Sequence, residues 1–136
     1  MKIAVACDGT QVSQHFGHCE GFTIYTIENK QIAGKEYTVD EVMKEVLKDR
    51  VFYKNSKGGV TLSGGEPLIY AAFVEELLME LKKENIHTAV DTCGAVDFKV
   101  LERISKYTNL FLYDIKSMDE KKHILYTGVS NKNIIN

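Results

Sequence analysis

The sequence is poor in the residues that mark unusual protein classes: among its 136 residues are three cysteines, one proline and no tryptophan. Three scattered cysteines form no disulfide framework and suit a protein of the reducing cytoplasm. No stretch approaches the about 20 apolar residues that a membrane-spanning helix needs, and the N-terminus becomes polar too early for a signal peptide. We therefore expect a cytoplasmic protein with no membrane partner.

The charge balance excludes another class of protein. A formal net charge of −2 and an isoelectric point of about 6.1 lack the positive excess by which nucleic-acid-binding proteins attract phosphates. We therefore expect no nucleic-acid partner. A hydrophobic content of 44% and a charged content of 26% are typical of a globular protein, and the length suits a single domain.

Strand and helix patterns alternate along most of the chain. Apolar runs predict strands and amphipathic runs predict helices, namely strands at Lys2–Cys7, Gly21–Ile27, Val60–Ser63, His87–Asp91 and Leu110–Asp114, and helices at Val39–Tyr53, Leu68–Glu84, Asp97–Lys106 and Asp119–Tyr126. Thr38 and Glu41 are spaced as a capping box for the first helix. This order predicts an α/β fold of about four parallel βα units with an N-terminal β-hairpin-like segment.

A closed eight-stranded barrel needs about 250 residues, more than this chain has. The expected architecture is therefore a partial (βα) barrel or an open, mostly parallel sheet. An unpaired edge strand invites pairing with another chain, which favours a homodimer that completes the barrel.

The most informative stretch of the chain is the run from Ser63 to Pro67, which reads Ser-Gly-Gly-Glu-Pro. Gly64 and Gly65 can adopt positive φ and let the backbone approach a ligand. Glu66 follows a predicted strand, where parallel α/β proteins bind their ligands, and Pro67 suits the first turn of a helix. The alternative is an ordinary βα turn with a solvent-facing Glu66, and so short a motif does not decide between the two.

Polar residues also follow the next two predicted strands. Asp91 and Thr92 end one strand, and Asp114 and Lys116 end the next, so the three strand ends are expected to present polar groups on one rim of the sheet. The alternatives are that Asp91 is a helix N-cap and that Asp114 and Lys116 form a surface ion pair. Cys93, a lone thiol beside this rim, is expected to be incidental.

The N-terminal segment contains a second candidate site, formed by Cys7, His15, His18 and Cys19. Thiolate and imidazole ligands suit zinc, iron or copper. Their spacing matches no standard zinc pattern. The alternative is that Cys7 is a small buried hydrophobe and that the histidines belong to a surface loop.

From about residue 33 to residue 136, the sequence resembles the activating enzymes of glycyl radical enzymes, a group within the radical S-adenosylmethionine (radical SAM) superfamily that includes pyruvate formate-lyase activase. Four motifs match in order: TVDEVMKEVLKDRVFYKNSKGGVTLSGGEP from Thr38, HTAVDTCG from His87, LFLYDIK from Leu110 and TGVSN from Thr127. The resemblance implies S-adenosylmethionine and a [4Fe–4S] cluster as cofactors and a glycyl radical enzyme as the partner.

The resemblance also implies which residues bind S-adenosylmethionine. The backbone of the Gly-Gly-Glu-Pro turn and its neighbours hold its amino group, and Asp91, Thr92, Asp114 and Lys116 hold its carboxylate, partly through a monovalent cation. The positions concerned are Ser63, Gly64, Gly65, Glu66, Pro67, Asp91, Thr92, Asp114 and Lys116.

The family's cluster is held by a CxxxCxxC run, which is absent from this sequence. The family's barrel also continues beyond a strand such as Leu110–Asp114, whereas this sequence ends at Asn136. We therefore expect a truncated activase-like protein that cannot cleave S-adenosylmethionine alone and retains a weak pocket for it. The chain resembles an oxidoreductase but lacks the cysteine run that holds the family's cluster. The sequence therefore does not decide whether the chain is an enzyme.

Residues 1–32 resemble the dinitrogenase iron–molybdenum cofactor carrier family, through MKIAVACDG at the N-terminus and VSQHFGHCEGFTIY from Val12. We expect one α/β domain over residues 1–136, a fusion of this segment with the activase-like residues 33–136. Two alternative functions follow. The chain could be a small iron–sulfur or metal cofactor carrier, or a recombined scaffold fragment without enzymatic activity.

Overall fold

The computed structural model describes the backbone of residues 2–8, 11–12, 21–28 and 31–35, and both backbone and side chains of residues 37–135. The N-terminal strands form an antiparallel sheet in the order β2-β1-β3-β4. These strands are β1 (Lys2–Asp8), β2 (Gln11–Val12), β3 (Gly21–Glu28) and β4 (Gln31–Lys35).

The N-terminal strand was counted among the about four parallel strands predicted from the sequence, but β1 belongs to the antiparallel sheet. β1 pairs antiparallel with β3, with Ile3 opposite Tyr25. β3 ends at Glu28 and β4 begins at Gln31, a connection too short for the crossover that parallel strands need. The α/β class and the partial, open βα fold are confirmed, with three parallel strands in the described chain where about four parallel units were predicted.

The parallel sheet has the strand order β5-β6-β7, with β5 at Gly59–Leu62, β6 at His87–Thr92 and β7 at Leu110–Tyr113. Helix α3 (Ala71–Lys83) connects β5 to β6, and helix α4 (Phe98–Ser105) connects β6 to β7. The register pairs Leu62 with Val90 and Val90 with Phe111. The carboxyl ends of all three strands therefore lie at one edge of the sheet.

The remaining helices are α1 (Val39–Leu47), α2 (Arg50–Ser56), α5 (Glu120–Thr127) and α6 (Lys132–Ile135). The predicted capping box is confirmed: the Thr38 hydroxyl accepts from the Glu41 amide, and the Glu41 carboxylate accepts from the Thr38 amide. The single helix predicted over Val39–Tyr53 is wrong. The amides of Lys48 and Asp49 bond three residues back, which tightens the turn and separates α1 from α2.

A short 3-10 turn, Pro67–Tyr70, precedes α3, so the helix predicted from Leu68 begins as a tighter coil. The buried side chains of α3 recur at helical spacing and form one apolar stripe. These side chains pack in the core with Val90 of the sheet and Ile104 of α4. They belong to Val74, Leu77, Leu78 and Leu81. This packing fixes the strand ends that carry the predicted site.

Strand β7 is less well covered than β6, because it forms one edge of the described parallel sheet. Leu110 and Leu112 are 48% and 45% exposed, whereas Val90 in β6 is fully buried. None of the described helices has the length and hydrophobicity to cross a bilayer.

Candidate functional site

The loop after β5 turns sharply at two glycines. Gly64 and Gly65 have φ angles of 108° and 27°, values that glycine adopts without a steric penalty. The turn leads to Glu66, which caps the 3-10 turn, and to Pro67 at the first position of that turn. The tight connection brings a carboxylate back beneath the end of the neighbouring strand.

Glu66 is a buried hydrogen-bond hub with only 3% of its surface exposed. Its Oε1 accepts from the Leu68 amide at 3.1 Å and from the Thr92 hydroxyl at 2.6 Å. Its Oε2 accepts from the amide and the thiol of Cys93, at 2.9 and 3.0 Å. These donors fill the roughly four lone-pair positions of a carboxylate, so the alternative of a solvent-facing Glu66 is wrong.

Thr92 extends this network to the third strand end. Thr92 is buried, with 2% of its surface exposed. Its hydroxyl donates to Glu66 and accepts from the Gly94 amide at 2.9 Å. The Thr92 carbonyl accepts from the Asp114 amide at 2.9 Å. Gly94 has a φ of 69°, and the Tyr113 ring occupies the space that a Cβ there would need. The three loops are thus joined in one connected structure.

Asp91 is half-buried near the end of β6. Its Oδ2 accepts from the Ser63 hydroxyl at 2.8 Å, so the ends of β5 and β6 are bridged here too. The alternative that Asp91 caps a helix is wrong, because α4 begins at Phe98 and its cap is Asp97, whose carboxylate accepts from the Lys99 amide.

Asp114 and Lys116 follow β7 and form an exposed ion pair, as the alternative interpretation of these residues proposed. The hydrogen bond from the ammonium to the Asp114 carboxylate raises the pKa of Lys116. Exposed pairs of this kind contribute little to stability, so both groups are energetically available to a ligand.

Cys93, which was expected to be incidental, contacts the buried carboxylate of Glu66 through its thiol. Burial, followed by its hydrogen bond to Glu66, raises the pKa of its thiol to about 11, so the thiol stays protonated at neutral pH. Burial, with Cys93 and Glu66 nearby, also raises the pKa of Tyr113. The feature of the sequence that could have indicated this contact is the position of Cys93 directly after Asp91 and Thr92 at a strand end.

All the residues predicted to bind S-adenosylmethionine lie at the carboxyl ends of β5, β6 and β7 or in the loops that follow them, but they differ in access. Glu66, Pro67 and Thr92 are buried, and Asp91 is half-buried. The exposed members are Ser63, Gly65, Asp114 and Lys116. The accessible rim therefore offers carboxylate and hydroxyl oxygens beside one ammonium group, a combination suited to a zwitterion. Carboxylate oxygens are also suitable ligands for a monovalent cation.

The predicted metal ligands are not part of this rim. Cys7 lies in β1, where only the backbone is described, and His15, His18 and Cys19 lie outside the described residues. Within residues 37–135, no three histidine, cysteine, aspartate or glutamate side chains are grouped as metal ligands.

Comparison with known proteins connects this geometry to one family. The model of the radical SAM superfamily matches residues 10–136. The chain is 48% identical to the trans-4-hydroxy-L-proline dehydratase activating enzyme of Clostridioides difficile over 107 residues, which are 78% of this chain and 35% of that enzyme. It is 44% identical to the pyruvate formate-lyase-activating enzyme of Staphylococcus aureus over 108 residues, which are 75% of this chain and 43% of that enzyme.

A solved structure is also similar. A domain of the pyruvate-formate lyase-activating enzyme from Bacteroides vulgatus superposes with a TM-score of 0.52 and 36% sequence identity, over 57% of this chain and 48% of that one. The chain thus spans less than half the length of each of these proteins. The resemblance to glycyl radical enzyme activases is confirmed, and that of residues 1–32 to cofactor carriers stays a prediction.

Proposed function

Because the chain belongs to the radical SAM superfamily, we propose that it binds S-adenosylmethionine weakly at the β5–β7 strand ends and does not cleave it alone. The observation that carries this proposal is the convergence of the predicted contact residues at three adjacent strand ends. Ser63 after β5 is hydrogen-bonded to Asp91 of β6, and the Asp114 amide after β7 is hydrogen-bonded to the Thr92 carbonyl.

The accessible residues fit the amino acid end of S-adenosylmethionine. Its ammonium group needs acceptors, which the Ser63 hydroxyl and the Asp91 carboxylate supply. We therefore place Asp91 at the ammonium group, whereas the family resemblance implies that it holds the carboxylate. Its carboxylate needs a positive partner, which the Lys116 ammonium supplies, or a monovalent cation bound by Asp114. When bound, the cofactor provides a sulfonium centre, and the role of these residues is to bind and orient it.

The residues do not fit the family's [4Fe–4S] cluster. Cluster ligation uses closely spaced thiolates, whereas Cys7, Cys19 and Cys93 are far apart in sequence. The thiol of Cys93 also donates a hydrogen bond to a buried carboxylate, and its pKa of about 11 keeps it protonated. We therefore assign no cluster-dependent step to these residues.

Anaerobic reconstitution with iron and sulfide tests this part of the proposal. We expect the protein to bind no more iron than a variant in which Cys7, Cys19 and Cys93 are all replaced by serine. Iron content and visible absorption are measured for both proteins after desalting. One cluster per chain in the unaltered protein alone would contradict the proposal and would support the cofactor-carrier alternative.

Equilibrium dialysis with labelled S-adenosylmethionine tests the binding site. We expect Asp91→Asn to weaken binding by about 10-fold, because a charge-assisted hydrogen bond to the cofactor's ammonium becomes a neutral one. The matched control is Asp49→Asn at the start of α2, an exposed side chain that makes no capping bond. Equal affinities for Asp91→Asn and the unaltered protein would contradict this placement of the site.

Further parts of the proposal concern partners and location. By analogy with the activating enzymes that it resembles, the chain is expected to have a glycyl radical enzyme as its partner. We also propose that it has no nucleic-acid or membrane partner and that it is located in the cytoplasm. We also propose a homodimer in which a second copy covers the edge of β7. The half-exposed Leu110 and Leu112 on that edge support this arrangement, since an uncharged edge strand readily pairs with another chain.

A further inference from the structure

The contact between Cys93 and Glu66 joins two loops that are remote in sequence. The two residues are 27 positions apart, yet the thiol lies 3.0 Å from Oε2 of the buried carboxylate. Cys93 supplies two of the donors to Glu66, its amide and its thiol. Of the two donors that Cys93 supplies, only the thiol can be removed by a substitution, because the amide belongs to the backbone.

The saturation of Glu66 determines how it can act. Every lone-pair position of its carboxylate is occupied by a donor from the protein, so a ligand could contact it only by displacing one of them. Its effect on a ligand is therefore indirect. It holds the Gly64–Gly65 turn, which precedes it, against the end of β6, which carries Asp91.

We propose that Cys93 is a positioning residue of the S-adenosylmethionine site, whose thiol, by donating to Glu66, holds the Gly64–Gly65 turn in register with Asp91. This inference rests on the proposed function. The connection is short, since Ser63, at the start of the turn, is itself hydrogen-bonded to Asp91, two residues before Cys93. Loss of the thiol donor would loosen the turn on one side of the ligand and leave the polar rim chemically unchanged.

Ionisation of the thiol would remove this hydrogen bond and place a second negative charge beside Glu66. The titratable groups that act on Cys93 or feel its charge are Glu66, Tyr113 and Lys116. The pKa of about 11 means that the donor is present at neutral pH and is lost as the pH rises through that value.

Alkylation by iodoacetamide, followed by mass spectrometry of the peptide that contains Cys93, tests the contact without any cofactor. Because thiolates are the reactive species, we expect native Cys93 to react at pH 8 at least about tenfold more slowly than in urea, since burial and the hydrogen bond to Glu66 both disfavour the thiolate. Glu66→Gln should accelerate the native reaction at least about fivefold, since it removes the neighbouring charge while burial persists. Circular dichroism monitors the fold of this variant.

Binding of S-adenosylmethionine by two Cys93 variants tests the positioning role. We expect Cys93→Ala to bind about three- to tenfold more weakly, and Cys93→Ser, which retains a donor, to bind within about twofold of the unaltered protein. If Cys93 only filled space, Cys93→Ser would not restore the binding that Cys93→Ala loses, because the serine side chain is no larger than the cysteine side chain that it replaces.

The outcomes separate this inference from the proposed function. An identical alkylation profile in native and urea-unfolded protein overturns the contact, and equal binding by Cys93→Ala and the unaltered protein overturns the positioning role. If the unaltered protein does not bind S-adenosylmethionine, the proposed function is wrong, and so is the positioning role. Protection of Cys93 from alkylation in that case would still support the contact with Glu66. Protection from alkylation, with weak binding by Cys93→Ala and rescue by Cys93→Ser, supports the proposal.

Discussion

Replacing Glu66 with alanine is expected to lower the free energy of unfolding by about 3–5 kcal/mol, because the substitution leaves a buried cluster of donors without an acceptor. The donors are the amides of Leu68 and Cys93, the Thr92 hydroxyl and the Cys93 thiol. An unsatisfied buried donor costs about 1–3 kcal/mol, and entry of water into the vacated volume recovers part of the sum.

Urea denaturation followed by circular dichroism measures this loss. The control is Glu76→Ala, which removes an exposed carboxylate from α3 and should change stability by less than about 0.5 kcal/mol. Glu66→Gln should fall between the two, because its amide oxygen still accepts while its amide nitrogen faces a donor. If Glu66→Ala is no less stable than Glu76→Ala, the hub does not hold the loops together.

Replacing Gly59 with alanine is expected to destabilise the protein by about 3 kcal/mol or more, because the added methyl group overlaps with the sheet backbone. A Cβ at Gly59 would occupy the space of the His87 carbonyl oxygen, and the two residues are paired in the parallel register of β5 and β6. A carbonyl group cannot rotate away as a side chain can, so the strands themselves have to separate.

The neighbouring glycine provides a matched control. In Gly58→Ala, the closest atom to the new Cβ is the Ser56 hydroxyl oxygen at 2.9 Å, and this side chain can change its rotamer. We expect a cost of about 1 kcal/mol or less, as for a small local adjustment. Thermal unfolding of the two variants decides the matter, since equal midpoints would mean that the overlap with His87 does not govern the effect.

The features that could be predicted from the sequence are mostly local ones. The capping box joins Thr38 and Glu41, only three residues apart, and the Gly64–Gly65 turn follows from the backbone freedom of glycine. The alternation of strands and helices from β5 onward was also predicted, because each element has its own periodic apolar pattern.

The features that were missed depend on contacts between distant parts of the chain. Cys93 meets Glu66 across 27 residues, and no local pattern distinguishes a thiol that donates to a buried carboxylate from an incidental one. The number of parallel strands was overestimated for the same reason, since an apolar strand pattern does not specify its partner or direction. The separation of α1 from α2 depends on a tightened turn that helical spacing does not reveal.

The alternation of side chains in β6 limits where the chain can change in length. Thr88, Val90 and Thr92 are buried on one face of the strand, whereas the half-buried Asp91 points to the other, which also carries the buried Ala89. One residue inserted within β6 would exchange the two faces beyond that point and bring a carboxylate towards the apolar core. Insertions and deletions of one residue within this strand are therefore expected to be poorly tolerated.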